Sequence, residues 1–319
     1  MQVFPSHRCS PEFSTGLNRQ LQQKSDAVWG PVADATGSCR LQAFQDSSLV
    51  LSGSLCRLPL KKLLLPDREQ VWSWHDGLYA APPPPVRIAV IGLPLCELQA
   101  VWYLDRVFAE EVEYQLRRSR LFLVGAACQP GDSCRCRPQL PVAGDLFLDE
   151  ERLWLLSEAG SKLLDELRTN SGKQERLSLP WPEPPDNPDP ELNRDFFLAR
   201  RQAGIWQREG QKCLSCGACS AVCPTCYCFD LLDEAGLDGG VARYRVWDNC
   251  FFAEHGKVAG GHDFRPDRAE RLRFRFEHKK LGFGDLQGMA SCVGCGRCRD
   301  VCPVAIDLDS IAAELRVES

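Results

Sequence analysis

The feature that most constrains this chain is a cysteine pattern that occurs twice. The first copy, C-x2-C-x2-C-x3-C-P, consists of Cys213, Cys216, Cys219, Cys223 and Pro224, and the second consists of Cys292, Cys295, Cys298, Cys302 and Pro303. In bacterial runs with this spacing, three closely spaced thiolates bind one [4Fe–4S] cluster, and the fourth binds the other cluster of the pair. The pattern therefore predicts two [4Fe–4S] clusters. One would be bound by Cys213, Cys216, Cys219 and Cys302, and the other by Cys292, Cys295, Cys298 and Cys223.

The residues between and after these cysteines suit that role. Gly217, Gly294 and Gly296 supply permissive backbone where a loop must wrap tightly around a cluster. Pro224 and Pro303 are pre-set for a first helical turn and need no amide donor there. Each fourth cysteine is therefore carried into a new segment that leads toward the other cluster.

Two other uses of these cysteines are weaker. A disulfide scaffold requires an oxidising compartment, and such scaffolds are usually shorter than about 80 residues, whereas this chain has 319. Zinc binds two C-x2-C pairs in a tetrahedral site and is the better competitor. A third cysteine after two more residues, followed by x3-C-P, is however not typical of zinc fingers.

The composition indicates a soluble intracellular protein. The chain is 44% hydrophobic and 25% charged with a net charge of -5, and it has no basic arm of the kind that binds nucleic acid. The N-terminal sequence lacks the apolar core of about 7–15 residues that an export signal requires, and no apolar run of about 18 residues could span a bilayer. We therefore expect a cytoplasmic protein with reduced thiols, no membrane insertion and no nucleic-acid partner.

Two proline-rich stretches punctuate the chain. Residues 82–85 precede a strand-like run and are expected to be a rigid connector within a domain. Residues 178–195 contain prolines that remove helix donors, and they are expected to be an extended linker. We predict an α/β domain over 1–177, then the linker. Residues 196–319 should form an α+β or α-rich, ferredoxin-like two-cluster domain with a long insertion between the cysteine runs.

Segments of the N-terminal part alternate between strand and helix character. Short apolar runs at 86–92 and 121–124 predict buried strands, residues 98–120 between them have helical character, and 146–148 is again apolar. Over 151–167 the leucines recur near helical spacing. No G-x-G-x-x-G fingerprint opens a helix and no Walker loop is present, so the sequence does not support a nucleotide or flavin site within this chain.

A second group of cysteines lies in the N-terminal part. Cys96 follows one predicted strand and Cys128 follows the next, with Cys134 and Cys136 shortly after it. In a doubly wound sheet, the loops after successive strands meet at one edge, where ligands commonly bind. These four thiols are therefore candidates for a third iron–sulfur cluster. The alternative is that they are buried or loop thiols without a metal.

Three more cysteines, Cys226, Cys228 and Cys250, lie between the two runs. They either pack against the clusters and shield them, or join another metal site for which three thiols do not complete a set of four. Cysteine is among the residues most often buried in a core. A structural role is accordingly expected for Cys9, Cys39 and Cys56, which have no motif around them.

The motifs around these cysteines occur together in one known family. Downstream they lie at 213–230, 246–250, 260–265, 278–279 and 292–298, and upstream at 61–66, 91–96, 105–106, 114–118 and 128–136. With them the chain resembles the iron–sulfur beta subunit of cytosolic sulfhydrogenases and the related iron–sulfur subunit of anaerobic sulfite reductase, from about Gly30 onward. It departs from the family in two places. Cys96 is followed by Glu97 instead of aspartate, and Arg135 replaces phenylalanine between Cys134 and Cys136.

The resemblance implies an electron-transfer subunit of anaerobic metabolism rather than a catalytic one. In that family the subunit connects a flavoprotein subunit, which handles NAD(P)H, to a catalytic partner bearing nickel–iron or siroheme. Closed four-thiolate clusters agree, because they leave no open coordination position for substrate. Two other classes stay open. One is a stand-alone oxidoreductase with a reactive metal site in the N-terminal domain, and the other is a structural metal-binding scaffold.

The histidines and arginines near these motifs carry less information. His262 and His278 have no recognisable acid–base partner in sequence, and local hydrogen bonding is the commoner role of such histidines. Residues 268–280, in which arginines alternate with apolar side chains, are compatible with a strand or a partly buried helix. Their cations form either a solvated face or a basic edge that docks an acidic partner or raises a cluster's potential.

Overall fold

The structure is a computed structural model that describes residues 2–5, 11–33, 35, 38–43, 55–136, 140–148, 152–169 and 192–317. The chain divides into two compact units. One comprises Met1–Leu60 and Pro84–Pro185, and the other comprises Lys61–Pro83 and Asp186–Ser319. This differs from the predicted division, because a segment expected in the N-terminal domain belongs to the unit that carries both cysteine runs.

Strands and helices alternate along much of the described chain. The strands are β1 (Gln2–Pro5), β2 (Ala27–Ala33), β3 (Cys39–Ala43), β4 (Arg68–His75), β5 (Leu78–Ala80), β6 (Ile88–Leu93), β7 (Leu121–Ala126), β8 (Leu146–Leu148), β9 (Arg152–Leu155), β10 (Phe229–Ala235) and β11 (Val241–Trp247). The helices are α1 (Pro11–Lys24), α2 (Lys61–Leu64), α3 (Leu95–Val107), α4 (Val112–Ser119), α5 (Glu158–Thr169), α6 (Arg194–Ala199), α7 (Gly204–Lys212), α8 (Ala218–Ala221), α9 (Arg268–Leu281), α10 (Arg297–Asp300) and α11 (Leu308–Val317). Short 3-10 turns lie at Glu254–Gly256 and Gly284–Leu286.

The N-terminal unit contains a seven-stranded sheet in the order β1-β9-β8-β7-β6-β2-β3. Its central strands β2, β6, β7 and β8 pair in parallel, and the outer pairs are antiparallel. Strands in the middle of a parallel sheet are buried on both faces, which explains why β6 and β7 are almost continuous apolar runs. A mixed α/β fold is thereby confirmed for the chain.

The core of this unit joins two helices to the sheet. Leu17 and Leu21 of α1 are buried together with Leu163 and Leu164 of α5 and with Ile91 of β6. These leucines recur at the three- and four-residue intervals that place side chains on one face of a helix.

Two segments predicted as single helices differ from the structure. Residues 98–120 form two helices, because the chain turns after α3 and the Glu111 side chain caps α4 by accepting from the Tyr114 amide. Residues 151–167 begin as strand β9, in which Leu153 pairs with Leu148 of β8, and become helical only from Glu158. A short apolar run cannot be assigned to strand or helix from its periodicity alone.

A second sheet explains why Lys61–Pro83 belongs to the C-terminal unit. Its order is β10-β11-β4-β5, and β4 pairs with β11 in antiparallel register from Val246↔Arg68 to Val241↔Trp74. On the same pair of strands, the buried Arg245 guanidinium donates to Glu69 Oε2 at 3.1 Å. The hairpin of β4 and β5 is thus completed by strands that follow the first cysteine run.

The helices of the C-terminal unit pack around α9. Phe276 is 0% exposed, and its ring centroid lies 5.4 Å from those of both Phe197 and Trp206. Helix α9 begins at Asp267, whose side chain accepts from the Glu270 amide at 2.8 Å. The segment 268–280, which the sequence left open between strand and helix, is therefore a buried helix.

The proline-rich stretches have different outcomes. Residues 82–85, expected to lie within a domain, instead contain the point at which the chain passes from one unit to the other, between Pro83 and Pro84. The reason is the pairing of the β4–β5 hairpin with the C-terminal unit. Residues 178–191 of the predicted linker, and Cys9, lie outside the described residues. None of the described helices has the length and apolarity needed to cross a membrane.

Candidate metal centre

Both cysteine runs fold into the same local structure. In each run a glycine with left-handed backbone precedes a short helix, with φ 74° at Gly217 before α8 and φ 80° at Gly296 before α10. A residue with a Cβ adopts this conformation at a cost of about 1–2 kcal/mol. Glycine is therefore favoured at both positions, and the sequence repeat is also a structural repeat.

The first run and the last cysteine of the second run line one cavity. Its walls contain the thiols of Cys213, Cys216, Cys219 and Cys302. Around them lie apolar side chains, which include Phe251, Leu272, Ile306 and Leu308, and the side chain of Arg275. The structure thus gathers in one place the four sulfurs that the crossing rule assigns to one cluster.

Two backbone amides donate to sulfurs of this cavity. The Ser215 amide lies 3.4 Å from Cys213 Sγ, and the Ile306 amide lies 3.3 Å from Cys302 Sγ. Such donors stabilise negative charge on sulfur and are one means by which a protein adjusts cluster potential. Cys213 is buried whereas Cys216 is exposed, so this cavity is nearest to the surface at Cys216.

Thiols of the second run also lie together. The pKa of Cys298 is raised to about 12, chiefly by burial, with Arg275 opposing the rise and the thiolates of Cys292 and Cys295 adding to it. The Cys292 amide donates to the carbonyl of Lys279 at 3.1 Å, which joins this run to helix α9.

Cys223, the remaining predicted ligand, lies in the loop after α8. Its Sγ is 3.4 Å from Thr225 Oγ1, and its thiol neighbours that of Cys226. Lys279 and Arg275 both act to stabilise its thiolate. This sulfur is therefore buried in a positively charged environment.

Three cations are buried around the loop that connects the two cluster regions. The exposed fractions are 4% for Lys61, 3% for Arg275 and 2% for Lys279. An isolated buried charge costs several kcal/mol, so such groups are normally paired. Ionised sulfurs supply the matching negative charge here, and these cations fit a site that holds anionic thiolate clusters.

Their hydrogen bonds fix the loop backbone. Lys61 Nζ donates to the carbonyls of Ser220 at 3.0 Å and Cys226 at 3.1 Å, and it lies 4.3 Å from the centroid of the Trp247 ring. Lys279 Nζ donates to the Thr225 carbonyl at 3.1 Å and to Thr225 Oγ1 at 2.9 Å. The loop that carries Cys219, Cys223 and Cys226 is thus held by charged donors.

The cysteines of the insertion pack against this loop. Cys228 and Cys250 flank the β10–β11 hairpin, whose end register pairs Phe229 with Trp247, and this brings the two thiols together. A hydrogen bond from Cys250 lowers the pKa of Cys228. Cys226 and Cys250 also neighbour the ligand Cys219. A cavity of about 200 Å³ next to these cysteines is lined by Lys61, Cys216, Cys226, Cys228, Trp247 and Asp248.

The Trp-Asp-Asn-Cys motif supports the first cysteine loop. Buried Asn249 donates through Nδ2 to the Gly217 carbonyl at 2.8 Å and accepts at Oδ1 from the Phe251 amide at 3.1 Å. Trp247 Nε1 donates to the Leu65 carbonyl at 2.8 Å, and Asp248 is hydrogen-bonded to His255. The motif therefore ties the insertion and the segment after α2 to the cluster loop.

Upstream, three of the four candidate thiols lie near one another. Cys134 Sγ and Cys136 Sγ are 3.0 Å apart. The pKa of Cys134 is raised to about 11, chiefly by burial and its bond to Cys136, with a smaller contribution from Cys128. Cys96 is buried in α3 at 1% exposure. Arg135 donates to carbonyls of its own loop at 2.8 Å, and a third cluster in this unit stays a prediction.

The donor chemistry fits iron–sulfur clusters. Cubane clusters are bound by thiolates at four separate irons, so their ligands surround a cavity instead of converging on one point. The thiols lining the first cavity have this distribution. Within the described residues, no group of three or more His, Cys, Asp or Glu side chains is arranged to hold a single metal ion.

Helix α9 corrects the expectation for its cations. A solvated face is wrong for Arg271 and Arg275, which are 7% and 3% exposed. Side chains four residues apart share a helix face, so Arg271, Arg275 and Lys279 lie on the side that packs inward. Sequence reasoning missed the role of Arg275, Lys279 and Lys61, although the R-x3-R-x3-K spacing was a visible signal for the first two.

His278 has the local hydrogen-bonding role expected from sequence. Its Nε2 lies 3.0 Å from the Tyr227 hydroxyl. Burial, assisted by the positive charge of Lys279, lowers its pKa to about 4, so the imidazole is neutral at physiological pH. His262 packs against Phe264, with ring centroids 4.7 Å apart.

Comparison with known proteins agrees with this geometry. Residues 212–306 match the 4Fe-4S dicluster domain family. The chain is 28% identical to sulfhydrogenase 2 subunit beta of Pyrococcus furiosus, in an alignment that covers 96% of each chain. No solved structure matches the chain significantly. The predicted resemblance to sulfhydrogenase beta subunits is confirmed, and so is the iron–sulfur character of the C-terminal region.

Proposed function

We propose, from the 4Fe-4S dicluster domain and the resemblance to a sulfhydrogenase beta subunit, that this protein is an electron-transfer subunit of a cytoplasmic multi-subunit redox complex. It would relay electrons between two partners, of which one is a flavin- and NAD(P)H-linked subunit. The other is a catalytic subunit of hydrogenase or sulfite/sulfur reductase type. One-electron exchange without substrate binding is the chemistry that closed four-thiolate clusters supply.

The observation that carries this proposal is the cavity shared by the two cysteine runs. Three thiols close in sequence and a fourth from a run far along the chain line the same space. This supports assigning Cys213, Cys216, Cys219 and Cys302 to one cluster. By the structural repeat, Cys292, Cys295, Cys298 and Cys223 are assigned to the other.

The surrounding residues perform the tasks that such a relay needs. Phe251, Leu272 and Leu308 surround the thiols of the first set with apolar surface, which limits solvent access. Buried cations balance the charge of the thiolates, and the exposed Cys216 supplies a point of approach for a redox partner. We propose that electrons pass between this chain and one partner at the Cys216 edge.

Anaerobic purification and iron analysis test the proposal. The protein should contain about eight irons and eight acid-labile sulfides per chain if it holds two cubane clusters. Mediators should reduce these clusters reversibly, and a flavoprotein that binds NAD(P)H should copurify. If the isolated chain turned over sulfite, sulfur or hydrogen with a dye donor, the relay assignment would be wrong. Zinc in place of iron would instead favour the scaffold.

A further inference from the structure

Arg275 occupies a position between the two cysteine runs. Its side chain lines the cavity that holds Cys213, Cys216, Cys219 and Cys302, and the same cavity wall includes Cys298 of the second run. The Nη1 atom donates to Cys226 Sγ at 3.2 Å, and Cys226 neighbours Cys223. The Nη2 atom donates to the Cys219 carbonyl at 3.0 Å. Ligands of both proposed clusters therefore surround one guanidinium.

The charge of this guanidinium is balanced by sulfur. Among the described residues its hydrogen-bond partners are the Ser220 hydroxyl at 2.7 Å, the Cys226 thiol and the Cys219 carbonyl, with no carboxylate. At 3% exposure the side chain is also largely removed from water, so its field is weakly screened. Arginine stays charged in proteins, so this positive charge is permanent.

We propose that Arg275 is a positioning residue that raises the reduction potentials of both clusters together. Reduction of a cluster adds one electron from the donor and hence one negative charge, and a fixed positive charge nearby stabilises the reduced form. Since one cation faces ligands of both clusters, it moves both potentials in the same direction and keeps them close to each other. This inference rests on the proposed function, because it requires that both clusters are present.

Lys279 provides an internal contrast on the same helix. It lies one turn after Arg275, and its ammonium donates to the backbone and hydroxyl of Thr225, two residues from Cys223. Its charge is therefore directed at the loop that carries a ligand of the second cluster. Arg271, one turn before Arg275, donates instead to the carbonyls of Arg265 and Pro266 at 2.8 and 3.0 Å. It is a buried arginine of the same helix and serves as the matched control.

The test is a mediated redox titration, followed by electron paramagnetic resonance, of the anaerobically purified protein and four variants. In Arg275→Gln, the ratio of reduced to oxidised cluster at a given potential should fall at least tenfold for both clusters, which equals 59 mV for a one-electron couple. Arg275→Lys keeps the charge and should change either ratio less than threefold. Lys279→Met should lower one potential more than the other, and Arg271→Gln should leave both within threefold of the parent.

Iron content separates this inference from the proposed function. If the parent protein holds no clusters, the proposed function fails. If Arg275→Gln retains full iron but leaves both potentials unchanged, or shifts only one, then the assignment to Arg275 is overturned while the proposed function stands. A shift in Arg275→Lys as large as in Arg275→Gln would also overturn it, since packing and not charge would be responsible. Should Arg275→Gln fail to bind iron, full iron in Arg275→Lys supports the requirement for charge, and loss of iron in both refutes it.

Discussion

Replacement of Gly217 by alanine should damage the first cluster loop more than backbone strain alone can explain. Gly217 has φ 74°, which costs a residue with a Cβ about 1–2 kcal/mol. An added Cβ would also collide with Asn249 Nδ2 and lie 2.9 Å from the Phe252 ring. Displacing Asn249 would break its hydrogen bonds to Gly217 and Phe251, each worth about 0.5–1.5 kcal/mol. The expected loss is therefore about 2–5 kcal/mol.

Gly239 supplies the matched control in the turn between β10 and β11. Its φ is 80°, close to that of Gly217, but a Cβ there would meet nothing within 4 Å. Gly239→Ala should thus show the strain alone, about 1–2 kcal/mol. Denaturant unfolding under anaerobic conditions gives the free energies, and iron analysis shows whether Gly217→Ala loses clusters that Gly239→Ala keeps. Equal stability and equal iron in the two variants would refute the role assigned to the Asn249 contact.

Three further outcomes follow from contacts in the C-terminal unit. Phe276→Ala should lower the free energy of unfolding by about 3–5 kcal/mol because it empties a 0% exposed site, whereas Leu237→Ala at 111% exposure should have no measurable effect; similar losses would contradict the proposed core. Glu69→Gln should cost about 3–5 kcal/mol, since it leaves its buried arginine partner unpaired, while Glu234→Gln breaks a solvent-exposed pair and should change stability undetectably. His278 has a folded pKa of about 4, below its unfolded value of about 6.5, so protonation favours unfolding. Its contribution should be complete above about pH 6.5 and fall as the pH drops toward 4; an unchanged pH profile in His278→Gln would count against this assignment.

The cysteine spacing carried most of what could be predicted about the site. Ligand spacing is a local property of the chain, and the left-handed glycines at 217 and 296 repeat with it. The three buried cations were missed, because burial depends on packing between segments distant in sequence. Lys61 is the clearest case, since it reaches Ser220 and Cys226 only after β4 has paired with β11.

The fold was predicted where the local signal was strong and missed where partners decided it. Buried parallel strands such as β6 and β7 are continuous apolar runs and were recognised as strands. Residues 152–155 have leucines that also suit a helix, and pairing with β8 made them a strand. Likewise, a proline stretch marks a break in regular structure but does not show which unit the flanking hairpin joins.

The central claim is that each cluster is bound by three cysteines of one run and the last cysteine of the other. Electron paramagnetic resonance of reduced Cys216→Ser, Cys295→Ser and Cys302→Ser variants tests it most directly. Cys302→Ser should alter the same cluster signal as Cys216→Ser and leave unchanged the signal that Cys295→Ser alters. If Cys302→Ser instead altered the signal affected by Cys295→Ser, the crossed assignment and the relay built on it would be contradicted.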